Sequence, residues 1–160
     1  MIRNVSWVLA ALILCGLLVI VTISLAAGDT WTKKANMPTA RGYFSTSAVD
    51  GMIYVIGGWI NNNSLPTMED YDPATNKWTK KADMPTARDS LSTSTVNGKI
   101  YAVGGFGPGG VSLATVEEYD PATNKWTRKA DMPMKGGVST SVVNGKIYAI
   151  GGFALGGGNA

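Results

Sequence analysis

The chain has 160 residues, 45% of them hydrophobic and 16% charged, with a formal net charge of +3. That balance fits folded units of modest size and excludes an acidic disordered tail and a basic nucleic-acid-binding surface. Histidine is absent and Cys15 is the single cysteine, which excludes Ser-His-Asp and Cys-His catalysis, imidazole-ligated zinc or copper, and an intrachain disulfide.

Residues Val5 to Ala27 carry no charge, and a helix of that length spans roughly 34 Å, enough to cross a bilayer. Arg3 gives a positive start and Ser24-Leu25-Ala26 a small-x-small cleavage site, so residues 1–28 read either as a cleaved signal peptide or as a retained transmembrane anchor. Both readings place residues 29–160 outside the cytoplasm, secreted or periplasmic, or held at the membrane by residues 5–27. Cys15 follows Leu14, where lipid attachment would need a small residue, and reads as an ordinary apolar residue.

From Trp31 onward the chain repeats itself. Gly57-Gly58, Gly104-Gly105 and Gly151-Gly152 recur every 47 residues, as do Tyr54, Tyr101 and Tyr148, and Trp31, Trp78 and Trp126 nearly so. Length changes fall between these anchors, as in stacked structural units with fixed cores. Residues 31–34 read as a lone outer strand. Each unit then reads as four strands, beginning with Ser45-Thr46-Ser47-Ala48-Val49 and its counterparts at Ser92 and Ser139. Asp50-Gly51, Asn97-Gly98 and Asn144-Gly145 predict two-residue turns with positive φ at both positions. The apolar second strand, as in Ile100-Tyr101-Ala102-Val103, predicts cover on both faces. Glu69-Asp70-Tyr71 and Glu117-Glu118-Tyr119 begin the third strand, and Asp72-Pro73-Ala74-Thr75-Asn76 predicts the turn into a fourth strand that starts at the tryptophan. Side chains grow from Ser/Thr in the first strand to Tyr and Trp in the last two, the taper of a wedge packed round an axis.

The order Pro38-Thr39-Ala40-Arg41, Ile53-Tyr54-Val55-Ile56-Gly57-Gly58, Tyr71-Asp72-Pro73 and Trp78 resembles the kelch repeat, over residues 30–160. The resemblance implies an all-β fold: a partial kelch-type β-propeller of four-stranded antiparallel blades, two complete plus parts of a third, preceded by one N-terminal apolar helix. Blade 1 covers about residues 41–82, blade 2 about 88–130 and a partial blade 3 about 135–153, within a segment running over 29–160. A closed ring needs about 4 to 8 blades, so the expectation is a fragment of a larger propeller, self-assembly that completes the ring, or an open arc. Such propellers usually serve as binding scaffolds. Copper radical oxidases on similar propellers use histidine ligands and are excluded; sialic acid mutarotases are not.

The second-to-third and fourth-to-first strand connections emerge on one face of a propeller. They gather Trp59, Asn61, Asn62, Phe106 and Phe153, with Arg41, Arg88 and Lys135 ahead of the first strands. Guanidinium groups bind carboxylates bidentately and aromatic rings stack on sugars, so these eight residues are the candidate ligand set. The competing reading pairs the cations with carboxylates inside each blade and packs the aromatics between blades. Glu69, Asp70, Glu117 and Glu118 read as solvated faces and turn caps, since strand neighbours point to opposite faces. Asn62-Asn63-Ser64 matches a glycosylation acceptor. The near-identity of blades 1 and 2 favours a scaffold over a catalyst. The expected function is therefore an exported or membrane-anchored kelch-repeat binding module for protein or carbohydrate ligands, without cofactor or nucleic acid. A sugar-acid enzyme and a non-functional truncated product are the alternatives.

Overall fold

The computed structural model describes residues 31–153; the expected apolar helix, signal or anchor lies outside the described residues, as do residues 154–160. No helix among the described residues is long and apolar enough to cross a membrane. The chain divides into two units, residues Met1–Lys33 and Lys34–Ala160, and every strand belongs to the second. The lone outer strand expected at 31–34 is not formed: residues 31–37 are irregular. A fourth strand forms only against a third, and among the described residues none pairs with this segment, whose continuation at Ala35 docks on Asn76 and Trp78 instead.

The first blade comprises β1 (Ser45–Val49), β2 (Met52–Ile56), a short ribbon of β3 (Trp59–Ile60) and β4 (Asn63–Ser64), then β5 (Met68–Asp72) and β6 (Lys77–Lys80). Its sheet order is β1-β2-β5-β6, all antiparallel. The second blade repeats this with β7 (Ser92–Val96), β8 (Lys99–Val103), the ribbon β9 (Phe106–Gly107) and β10 (Val111–Ser112), β11 (Val116–Asp120) and β12 (Lys125–Arg128). Among the described residues the third blade is the hairpin β13 (Gly137–Val143) and β14 (Lys146–Phe153). The outer strands β6 and β12 begin one residue before their tryptophans. The ribbons replace what the sequence suggests are plain loops.

Local chemistry sets the turns. Asp50, Asn97 and Asn144 have φ of 50°, 50° and 51°, followed by Gly51, Gly98 and Gly145 at 78°, 73° and 71°, the double left-handed turn whose twist suits a hairpin. At the outer turns, Asp72 Oδ1 accepts from the Ala74 amide at 2.8 Å and Oδ2 from the Thr75 hydroxyl at 2.7 Å, which holds the Asp72 carboxyl below its ordinary pKa. Asn76 and Asn124 close these turns at φ of 58° and 53°.

Wedge packing follows from the hydroxyl-bearing strands. β1, β7 and β13 lie side by side: Thr93 Oγ1 is 2.9 Å from both Ser45 Oγ and Ser47 Oγ, and Thr140 Oγ1 is 2.7 and 2.8 Å from Ser92 Oγ and Ser94 Oγ. Trp78 and Trp126 sit on the outermost strands. Between the first two blades lies the core, with Val49, Tyr54, Ile56, Met68, Met84, Leu91, Ile100, Ala102 and Tyr119 all buried. Tyr54 and Tyr119 meet there with ring centroids 5.9 Å apart. Cover on the second strand therefore depends on a neighbour. Ile100 is fully buried, whereas Ile53 on blade 1 is 39% exposed and Ile150 on blade 3 is 63% exposed.

Backbone bonds also stitch the blades together. The Gly58 amide donates to Arg88 O at 3.0 Å and the Gly105 amide to Gly136 O at 2.9 Å. The glycine pairs permit this approach, because a Cβ on Gly57 would lie 2.5 Å from Arg88 O and one on Gly104 would lie 2.4 Å from Gly136 O. On the outer side, the segment leaving blade 1 docks on blade 2: the Ala82 amide donates to Asn124 Oδ1 at 2.9 Å and Trp126 Nε1 donates to Ala82 O at 3.0 Å. Ala35 makes the same two bonds to Asn76 and Trp78.

Candidate functional site

The candidate cations separate into two kinds. Arg88 is fully buried. Its Nη2 donates to Glu117 Oε2 at 2.7 Å and to Ala102 O at 3.3 Å, its Nη1 to Thr115 O at 2.7 Å and Gly104 O at 3.2 Å, and its Nε to Met84 Sδ at 3.2 Å. Burial pulls its pKa down to about 10, with Glu117 opposing, so it stays charged at neutral pH. Arg41 repeats the arrangement, bonding Glu69 Oε2 at 2.8 Å and Val55 O at 3.2 Å. The threonine two residues ahead completes each pair, Thr39 to Glu69 at 2.8 Å and Thr86 to Glu117 at 2.7 Å. These guanidinium groups are engaged within the blades. Lys135 is exposed.

The four strand acids are buried, contrary to the expectation of solvated faces: Glu69, Asp70, Glu117 and Glu118 are 3%, 1%, 1% and 8% exposed. Alternation does send neighbours to different partners. Glu69 reaches Arg41 while Asp70 reaches Lys81 at 2.9 Å, and Glu117 reaches Arg88 while Glu118 reaches Lys129 at 3.0 Å. Acidic charge inside a sheet needs such partners, since an unpaired buried carboxylate is costly.

The aromatic candidates come together differently. Trp59 is 38% exposed, bridged through its backbone to Gly42, with Tyr43 edge-on at 6.2 Å. Phe106 is half-buried and bridged in the same way to Asp89. The two rings line one cavity of about 370 Å³ between the ribbons of the first and second blades, together with Asn62, Ser64, Asp89 and Ser90. Asn61 and Asn62 form the left-handed tip of the β3–β4 ribbon at φ of 48° and 62°; Asn62 faces this cavity and Asn61 a shallower depression beside Tyr43. Phe153 ends β14, where its backbone pairs with Gly137.

Asp89 is the lining residue that reading the sequence by residue type does not single out. Its Oδ2 accepts from Ser64 Oγ at 2.8 Å and its Oδ1 from Ser90 Oγ at 3.0 Å. The signal lay in the register of the repeat. Gly42 and Gly136 occupy the matching positions after Arg41 and Lys135, so the carboxylate belongs to the second unit alone. Among the described residues no group of His, Cys, Asp and Glu is arranged to hold a metal ion.

Comparison with known proteins agrees with this architecture. Residues 17–156 match the family described as the KLHDC2/KLHL20/DRC7 Kelch-repeats domain. Kelch-like protein 33 of Homo sapiens is 38% identical over 48 residues, which cover 30% of this chain and 9% of that protein. A solved structure of YjhT is similar with a TM-score of 0.64 and 26% identity, over 74% of this chain and 36% of its own. The chain thus spans well under two thirds of either relative. With its repeated four-stranded blades, glycine-pair crossings and outer Tyr-Trp pairs, the chain belongs to the Kelch-repeat family.

Proposed function

We propose that this chain is a binding module for a protein ligand, engaged at the face where the two ribbons meet, and that its apolar N-terminal segment delivers it outside the cytoplasm. The cavity between Trp59 and Phe106 carries the reading. It is a concave, aromatic-walled site on the face with the most sequence variation between units, and its volume lies at the low end of the about 300–1,000 Å³ typical of ligand pockets. The matched Arg41–Glu69 and Arg88–Glu117 pairs support a scaffold role, because the same pairing in two successive blades is what holding the fold requires.

Selection of a random peptide display library against the full chain tests this, with Trp59→Ala and Phe106→Ala as controls. Enriched peptides that lose binding to both variants are the expected result. Enrichment indifferent to both substitutions, or a response confined to a glycan array, would overturn the reading. Alkaline phosphatase fused after residue 28 is expected to be active in the periplasm of a bacterial host; an inactive, cytoplasmic fusion would refute export.

A further inference from the structure

We propose that the cavity between the ribbons recognises a basic side chain, arginine or lysine, of a peptide partner, with Asp89 as its counter-ion and Trp59 as its aromatic wall. This rests on the binding-module reading and adds the chemistry of the ligand. Three observations carry it.

Asp89 supplies the lining's one charge. Glu69, Asp70, Glu117 and Glu118 each have a basic partner, whereas among the described residues Asp89 has none. It meets only the neutral hydroxyls of Ser64 and Ser90. Each carboxylate oxygen has a further lone pair, and a carboxylate at the wall of a half-enclosed space attracts a cation more strongly than one in bulk water.

The fold does not need Asp89. The backbone bridge from Asp89 to Phe106 is matched by the bridge from Gly42 to Trp59, where glycine suffices. A carboxylate held by two hydroxyls at one unit of a repeating scaffold is a local addition.

Trp59 complements it. The residue is 38% exposed and lines the cavity, and indole faces attract guanidinium and ammonium groups within about 6 Å. Carboxylate beside indole suits a cation with an apolar stem. An acidic peptide would set its charge against Asp89, and the guanidinium groups that could offset it, Arg41 and Arg88, are engaged within the blades.

The test uses the full chain labelled with ¹⁵N, observing the Trp59 indole N–H as short Gly/Ser peptides carrying one central Arg, Lys, citrulline or Glu are added. Citrulline keeps the shape of arginine without its charge. The Arg and Lys peptides are expected to shift the Trp59 resonance and the citrulline and Glu peptides to bind about five- to tenfold more weakly. That preference should vanish in Asp89→Asn, which preserves shape, and in Asp89→Gly, which copies the other two units. Equal binding of Arg and citrulline peptides, or a charge preference that survives both substitutions, would overturn the inference while leaving the binding face intact. A shift produced by a neutral monosaccharide and by no peptide would overturn it in favour of a sugar. If display selects acidic or apolar peptides that still depend on Trp59 and Phe106, the cation assignment fails and the binding-module reading stands; if selection ignores both rings, both fail.

Discussion

Replacing Arg88 with methionine keeps most of the side-chain volume and removes the charge. Glu117, 1% exposed, would keep the Thr86 hydroxyl and lose its counter-ion, and the donors now serving Gly104, Thr115 and Ala102 carbonyls would vanish. Breaking a buried pair from one side costs about 3–5 kcal/mol, a large share of the roughly 5–15 kcal/mol that holds a typical domain. Urea unfolding measures it, followed by the fluorescence of Trp78 and Trp126, which pack on Tyr71 and Tyr119 at 5.1 Å. The midpoint should fall with an unchanged denaturant slope. Arg88→Met with Glu117→Leu should recover most of the loss, because no unpaired charge remains. Arg41→Met should cost less, since Arg41 Nε already lacks a partner. A loss below about 1 kcal/mol for Arg88→Met, or a double variant no more stable than the single, would refute the assignment of Arg88 to the fold.

Three further outcomes are expected. Gly105→Ala places a Cβ 2.5 Å from Asp89 O at a φ of 96° and should cost more than the roughly 1 kcal/mol expected for Gly98→Ala, where only the left-handed backbone is at stake; paired urea curves give the order. Tyr119 has its phenol pushed up to about 12, chiefly by burial. A raised folded-state pKa contributes stability that is complete below about pH 10 and is lost as pH rises through about 12. Phenolate absorbance should therefore show Tyr119 titrating late, and Tyr119→Phe should flatten the alkaline limb of stability; simultaneous titration of all tyrosines near their ordinary value would contradict this. Asn124→Ala removes the acceptor shared by Tyr119 Oη and the Ala82 amide and leaves a left-handed position to alanine, for a loss of about 2–3 kcal/mol; Asn124→Gly should restore only the backbone share.

Much of the blade was legible because its determinants are local. Asn97-Gly98 encodes its turn within two residues, and the gradation from Ser94 to Trp126 orders the strands without reference to distant partners. The glycine pairs were legible as places of close approach, although the backbone each meets, Arg88 O or Gly136 O, belongs to the next unit. Pairing of Arg41 and Arg88 with blade carboxylates was one of the two readings the repeat allowed, but the burial of Glu69 and Glu117 was not legible: a carboxylate on a strand looks alike whether it faces water or an arginine some thirty residues away. Trp31 shows the opposite limit. Its sequence matches that of Trp78, but among the described residues no strand pairs with it, and the pattern alone makes no ladder. Asp89 could have been found by aligning the units and asking which position departs from glycine.

The bonds from Ala82 to Asn124 and Trp126 have a bearing on how such arrays can be cut and rejoined. The linker that follows one sheet is, by its contacts, the foundation of the next, so the sequence period and the cooperative piece are out of phase. A cassette cut at the repeat boundary just before Arg88 would carry Ala82 away with β6 and strand Trp126 of its successor with an indole N–H facing no acceptor. Recombination that respects the physics would splice at the ribbon tips, where Asn61-Asn62 and Pro108–Gly110 already differ in length without disturbing either neighbour.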